Sequence, residues 1–233
     1  MLSVKTGNLL YIISFSIGIF LLMGCGRAGS NLTVEDIDGN VYSTVKIGKQ
    51  IWMAENLRVR HFRDGEAIPH VVDSDAWYMA NRPAYCWYEN DSAGYNDSYG
   101  VLYNYYAINS ENLCPEGWRI PDKEDFYQLL EFLDPETDRI RHEASKIAGG
   151  ILKSTNFGAN NQGEGKEPLR GFNALPGGCR SYGGNFSMGG MIGYYGAIPG
   201  ESSLALRNST ESAFVRDQIS GYVGVSVRCL KND

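Results

Sequence analysis

Histidine is scarce in this sequence, with three residues in a chain of 233. Lysine and arginine number 21 against 27 aspartates and glutamates, and the basic residues form no cluster along the chain. Binding to a phosphate backbone requires clustered positive charge, so the composition argues against a nucleic-acid partner. Without the first 24 residues the formal charge changes from −6 to −7, because Lys5 is their only charged residue.

The common enzyme signatures are also missing from the sequence. It contains no His-Glu-x-x-His, no Gly-x-Ser-x-Gly and no Gly-Lys-Ser/Thr phosphate loop. The glycine-rich segment 183–190 has the spacing of neither nucleotide fingerprint, and we interpret it as a flexible loop between strands. We therefore expect no catalytic residues in this protein.

Long apolar runs are rare, and the one at 9–23 ends directly before Gly24-Cys25. About 20 apolar residues are needed to cross a bilayer, so this run is typical of a secretory signal, with an uncleaved membrane anchor as the alternative. Its Leu-Met-Gly-Cys ending resembles the lipobox of bacterial lipoproteins, which implies cleavage before Cys25 and lipid attached to that residue. We predict a signal peptide at 1–24, a lipidated tether at 25–32 and a location on the bacterial outer membrane or cell surface.

Cysteines are few, and four follow the predicted lipidation site: Cys86, Cys114, Cys179 and Cys229. An even number in an exported chain indicates two disulfides, for which three connectivities are possible. We favour Cys114–Cys229 together with Cys86–Cys179, and free buried thiols are the alternative. Zinc is not indicated, because no Cys-x-x-Cys pair or neighbouring histidine provides the usual ligand spacing.

The hydrophobic pattern predicts short antiparallel strands with few helices. Segment 32–57 is typical of a meander with a turn at Asp38-Gly39. A helix capped by Asp122 should bury a stripe of apolar residues, and a second helix is predicted at about 136–148. The stripe consists of Phe126, Leu129, Leu130 and Leu133. Glycine-punctuated strands are predicted at 171–175, 179–182, 191–197, 203–207, 213–216 and 222–229.

Six motifs, read in order, resemble one bacterial family. The sequence is similar to the Fibrobacter succinogenes major paralogous domain over residues 33–231. The resemblance implies an α+β, C-type-lectin-like fold shared with formylglycine-generating enzymes, in which two helices lie beside twisted antiparallel strands and large ordered loops. It implies fold and location more than activity, because the molecular function of the family is not generally established. The motifs lie at 36–42, 46–57, 99–106, 113–122, 171–178 and 225–229.

Two groups of side chains are candidates for binding. Oxygen donors crowd one loop, as a hard cation such as calcium requires, and the alternative is a solvated turn. They are Glu89, Asn90, Asp91, Asn96 and Asp97. Aromatic residues in the later loops could form a stacking surface for a sugar or peptide, and the alternative is that they pack inward. They are Tyr182, Phe186, Tyr194 and Tyr195.

The function expected from these features is non-catalytic binding of an extracellular glycan or protein by a lipid-anchored domain. A structural component of the envelope without a small ligand is the first alternative, and an enzyme related to formylglycine-generating enzymes is the second. No cofactor other than the possible calcium is expected. Arg228, beside a predicted disulfide, is expected to pair with a carboxylate in the core.

Overall fold

The computed structural model describes residues 32–157, 171–197, 202–217 and 223–232. Cys25 lies outside these residues, as do the predicted signal peptide and nearly all of the tether, so lipidation stays a prediction. Within the described ranges no helix has both the length and the apolar character that crossing a membrane requires.

The described residues form a mixed α+β fold, which confirms the predicted class. Their α-helices are α1 Ser74–Tyr78, α2 Ser92–Tyr99, α3 Tyr105–Ile108, α4 Lys123–Leu133 and α5 Ala148–Leu152, with a 3₁₀ turn at Tyr88–Asn90. Their strands are β1 Thr33–Glu35, β2 Val41–Ile47, β3 Gln50–Met53, β4 Tyr85–Cys86, β5 Leu102–Tyr103, β6 Trp118–Arg119, β7 Glu143–Ser145, β8 Cys179–Arg180, β9 Phe186–Ser187, β10 Ile192–Ala197, β11 Ser202–Arg207, β12 Ala213–Arg216 and β13 Leu230–Lys231.

A five-stranded antiparallel sheet has the order β1-β2-β3-β13-β6. The predicted meander is confirmed in β1 to β3. Its first turn is stabilised by Asp36, whose carboxylate accepts hydrogen bonds from the amides of Asp38 and Asn40 at 2.9 and 3.0 Å. Gly39 adopts a φ of +79°, which the turn requires and a side chain would disfavour. The last described strand, β13, pairs with β3 on one side and with β6 on the other, so it brings the C-terminal part of the described chain next to the N-terminal meander.

A four-stranded sheet, β10-β11-β12-β7, packs one face against α4. This helix confirms the prediction, because Asp122 and Asp125 form a capping box at its start. Phe126, Leu129 and Leu130 are buried against Leu204, Leu206 and Val215 of the sheet in one core cluster. Burying side chains of this size stabilises the fold by about 2 kcal/mol each.

The second predicted helix, 136–148, is wrong. Glu143–Ser145 instead forms β7, which pairs with β12 and completes the sheet, and a short helix follows from Ala148. Gly149 lies inside α5, where an added Cβ would overlap the carbonyl of Ser212. Pairing with β12 at the edge of the sheet therefore makes residues 143–145 a strand, which helical periodicity alone could not predict.

Two of the predicted strands, 171–175 and 222–229, are also not regular strands. Their described residues make isolated bridges instead, Ala174 to Lys153 and Val225 to Tyr103. Gly171, with a φ of +126°, begins the first segment and Pro176 follows it, and Gly224 lies inside the second, so neither segment continues as a regular ladder of hydrogen bonds.

Of the two predicted disulfides, Cys114–Cys229 is confirmed and closes a loop of 115 residues. The pairing of Cys86 with Cys179 is wrong, because both are free thiols. The reason is strand alternation: Arg180 contacts Cys86, so the preceding residue on β8 points to the other face. The Cys179 sulfur lies 3.4 Å from the hydroxyl oxygen of Ser187 instead.

The two free thiols are expected to resist alkylation in the native protein. Burial raises the pKa of Cys86 to about 12, although Arg180 opposes the rise, and burial also raises the pKa of Cys179. At pH 8 a thiol of that pKa is ionised in roughly one molecule in ten thousand, and only the thiolate reacts. Peptide mapping after iodoacetamide treatment without reductant should find both residues modified in urea and hardly modified in buffer. Glutathione in the same tube controls for reagent activity, and equal rates at Cys86 in urea and in buffer would contradict this burial.

Candidate functional site

A patch of exposed apolar side chains lies where α1 meets the β8–β9 hairpin. We call it the tyrosine surface and define it as Val72, Tyr78, Met79 and Tyr182. The ring centres of Tyr78 and Tyr182 are 4.5 Å apart and the ring planes meet at 76°, so the two rings form an edge-to-face pair. Tyr78 is 42% exposed and Tyr182 is 40% exposed. Met79 is 73% exposed. Adjoining exposed apolar side chains of this size are typical of a binding surface.

A fully buried arginine holds the two segments of this surface together. Arg180, on β8, donates to the carbonyl oxygens of Val71 and Val72, which precede α1, and to that of Gly184 in the hairpin at 2.9 Å. Hydrogen bonds from a charged donor are stronger than neutral ones, and three of them leave little freedom to either segment. Tyr78 and Tyr182 therefore project from backbone that is restrained on both sides.

Aromatic rings cover the faces of the same guanidinium. The carbon of the Arg180 guanidinium lies 4.6 Å from the ring centre of Trp77 and 5.0 Å from that of Phe186. Cation–π contacts of this kind contribute about 1 to 2 kcal/mol when they are shielded from water. Among the described residues no carboxylate pairs with Arg180, and carbonyl dipoles and ring faces together make the burial of its charge tolerable.

Two local features fix the geometry where α1 meets the hairpin. Asp73 caps α1 by accepting from the amide of Ala76 at 2.8 Å. Gly184, with a φ of +81°, lies so close to Ser74 that an added Cβ would overlap its backbone. A larger residue at 184 would separate the hairpin from α1 and so separate the two tyrosines.

A second group of aromatic rings supports the hairpin from below. The Tyr88 ring meets those of Tyr95, Tyr99 and Phe186 edge to face at 5.2 to 6.1 Å. The Tyr88 hydroxyl also accepts from the amide of Gly189 at 3.1 Å. This group positions the loop that follows β9, which the sequence predicted only as flexible.

The predicted calcium ligands mostly have local structural partners. The Asp91 carboxylate caps α2 by accepting from the amide of Gly94 at 3.0 Å, and the Asn96 amide oxygen accepts from the Trp87 indole at 2.9 Å. The Asp97 carboxylate accepts from the Asn96 side-chain amide at 3.1 Å, the Asn90 side-chain amide donates to the Val72 carbonyl at 3.2 Å, and Glu89 is the fifth predicted ligand. Across the described ranges no group of three or more histidine, cysteine, aspartate or glutamate side chains is arranged to hold a metal ion. Calcium binding stays a prediction from the sequence.

The structure separates the four predicted aromatic residues. Tyr182 lies in the tyrosine surface and Phe186 lies beneath it, against Arg180. A stacking role for Tyr195 is wrong, because this residue is fully buried and its hydroxyl bonds to the backbone of Leu175. Tyr194 is half-buried on the opposite face of β10, since successive strand residues alternate.

Sequence reasoning missed Tyr78, which lies in a stretch without hydrophobic period. The signal that could have found it is Asp73, a helix-capping residue four positions before Trp77-Tyr78. A short capped helix with one buried and one exposed aromatic residue is what the structure contains there.

Comparison with known proteins gives a family and no individual relative. No curated protein and no solved structure matches the chain. The profile of the Fibrobacter succinogenes major domain matches residues 45–231, a range that includes all the described helices and every described strand from β3 onward. Because this match extends over well more than half of the sequence, the chain belongs to the Fibrobacter succinogenes major domain family.

Proposed function

We propose that this protein is a non-catalytic binding domain of the bacterial cell envelope, which recognises an extracellular protein or glycan through the tyrosine surface. The observation that carries the proposal is the exposed pair Tyr78 and Tyr182, held above a fully buried arginine. Exposing two aromatic rings brings no stability to the isolated domain, whereas burying them against a partner would.

The rigidity of the surface favours binding. Tyrosine has two side-chain torsions and loses little entropy on binding, and backbone restrained by Arg180 loses little more. Binding energy from the rings would therefore not be consumed in ordering the site.

Of the two ligand classes, we favour a protein partner. Met79 directly follows Tyr78 and Val72 directly precedes the cap residue Asp73, so both add exposed aliphatic area at the ends of α1, and methionine and tyrosine are both enriched in the cores of protein interfaces. A glycan would use the ring faces but would gain less from the aliphatic side chains.

We also propose a C-type-lectin-like architecture and a lipid anchor at Cys25 on the outer membrane or cell surface. Antiparallel sheets with helices and long ordered loops support the first, together with family membership. The lipobox-like sequence supports the second. Palmitate labelling of the intact chain, lost in Cys25→Ala, tests the anchor.

The tyrosine surface is tested with the double variant Tyr78→Ala/Tyr182→Ala. Pull-down from envelope extract should identify partners, and each is then purified and titrated against the parent and the variant. We expect the variant to bind at least about tenfold more weakly, because central aromatic residues commonly contribute 2 kcal/mol or more. Phe132→Ala, which removes an exposed aromatic ring on α4, is the matched control and should bind like the parent.

Three outcomes count against this assignment. Unchanged affinity of the double variant would place binding elsewhere. A glycan array that gives the only hits, with the same sensitivity to the tyrosines, would replace protein by glycan. No binder in either experiment, with and without calcium, would favour a structural envelope component.

A further inference from the structure

The four-stranded sheet has a second face, opposite the one that packs on α4. In the strand register Tyr194 and Phe214 both lie opposite Ala205, and Ser203 lies opposite Arg216. Residues directly opposite each other point to the same side of a sheet, as do residues two or four apart on one strand. We call this set the arginine face and define it as Tyr194, Ser203, Arg207, Phe214 and Arg216.

Both arginines of this face are without counter-charge. In the portion of the chain that the structure describes, the guanidinium group of neither Arg207 nor Arg216 has an ion pair or a hydrogen-bond partner. The Nε atoms of both are buried and unpartnered. The Arg207 guanidinium rests on the ring of Phe214 at 4.6 Å, which orients it across the face and not away from it.

A third polar group on the same face is unsatisfied. Ser203 is fully buried and its hydroxyl oxygen has no hydrogen-bond partner. Its cross-strand neighbour is Arg216, so the hydroxyl and that guanidinium share one side of the sheet. A buried polar group without a partner costs about 1 to 3 kcal/mol, and more when it is charged.

Tyr194 lies opposite Ala205 in the register, between the level of Arg207 and the level that Ser203 shares with Arg216. Burial raises the pKa of its hydroxyl, and the positive charges of Arg216 and Arg207 both oppose that rise. Both positive charges therefore act on the same tyrosine of this face. By contrast, the fully buried guanidinium groups of Arg180 and Arg228 each donate to three oxygen acceptors.

We propose that the arginine face binds an oxyanion, with Arg207 and Arg216 donating to its oxygens and Ser203 donating from beneath. Two uncompensated positive charges select a negative ligand, and unpartnered N–H and O–H donors select one that is rich in acceptor oxygens. The ligand group is a carboxylate, a sulfate or a phosphate, free or carried on a larger molecule. This site is separate from the tyrosine surface and does not depend on the function proposed for it.

Calorimetric titration of the full chain in detergent, in low-salt buffer free of these anions, tests the proposal. The probes are inorganic phosphate, inorganic sulfate and glucuronate, with glucose as the uncharged counterpart of glucuronate. We expect saturable binding of at least one oxyanion at millimolar concentrations or below and none of glucose. Preference among the three identifies the source of the anion. Lack of saturable binding of all three would overturn the proposal.

Variants decide whether this face is the site. Arg207→Gln and Arg216→Gln should each weaken binding roughly ten- to a hundredfold, the value of a charge-assisted hydrogen bond. Arg141→Gln, the same charge change at a highly exposed arginine, should leave binding unchanged. Equal losses in all three variants would reduce the effect to net charge and overturn the proposal. Ser203→Ala changes no charge and should weaken binding too, so it decides the matter if the arginine variants fail to fold.

The test separates the two proposed sites. Tyr78→Ala/Tyr182→Ala should bind the oxyanion as the parent does, whereas the arginine variants should keep their affinity for a partner of the tyrosine surface. Loss of oxyanion binding in Tyr78→Ala/Tyr182→Ala would contradict the assignment of the oxyanion site to the arginine face, whether or not this variant still binds a protein partner.

Discussion

Replacing Cys114 and Cys229 by alanine is expected to lower the free energy of unfolding by about 4 kcal/mol. The bond closes a loop of 115 residues, so its loss greatly increases the freedom of the unfolded chain. Urea unfolding followed by tryptophan fluorescence measures the change. Much of the stability of a domain of this size, typically 5 to 15 kcal/mol, would be lost.

The free thiol Cys179 provides the matched control. Cys179→Ala removes a half-buried sulfur but no crosslink and should cost about 1 kcal/mol or less. The native hydrogen bonds between β6 and β13 should remain in the double variant, because Leu230 still lies opposite Arg119. A loss in the double variant no larger than that in Cys179→Ala would contradict a stabilising role of the disulfide.

Replacing Arg180 by methionine is expected to lower the free energy of unfolding by about 3 kcal/mol and to weaken binding at the tyrosine surface. The change keeps the apolar stem but leaves the carbonyls of Val71, Val72 and Gly184 without their donor, and each orphaned acceptor costs about 1 kcal/mol or more. Relief from burying a charge offsets part of that loss. Chemical unfolding gives the stability, and titration with a purified partner gives the affinity.

Arg228→Met is the control, because Arg228 has nearly the same kind of environment elsewhere in the fold. Its guanidinium is fully buried, donates to Asn56 and to the carbonyls of Phe172 and Asn173, and lies on the rings of Phe172 and Tyr195. We expect a similar loss of stability but unchanged affinity of the folded protein for the partner. Equal affinity in both variants would separate Arg180 from the tyrosine surface and contradict its positioning role.

The environment of Arg228 also corrects an expectation from the sequence. A core carboxylate was expected as its partner, yet the described acceptors are an amide oxygen and two backbone carbonyls. The pKa of Arg228 is lowered by burial. Local sequence cannot indicate backbone acceptors that come from residues more than fifty positions away.

Local interactions account for what could be predicted. The Asp122 cap and the apolar stripe of α4 depend on residues within about two turns, and the meander depends on the turn at Asp38-Gly39, so both were predicted correctly. Segment 136–148 was wrong because pairing with β12 outweighed helical periodicity. Tyr182 was found as a surface residue, but its neighbour Tyr78 was not, since they are 104 positions apart and meet only in the folded protein.

The amino-acid sequence by itself determined the family, the α+β class, the meander and the helix capped by Asp122, because motif order, turns and caps depend on residues close together in the chain. Only the tertiary structure decided, among the residues it describes, which aromatic side chains are exposed, which cysteines remain free and which guanidinium groups have no partner. Those properties depend on the side of a strand that a residue occupies and on the segments that pack against it. Strand register and long-range packing are set by the whole chain, so no local pattern contains them.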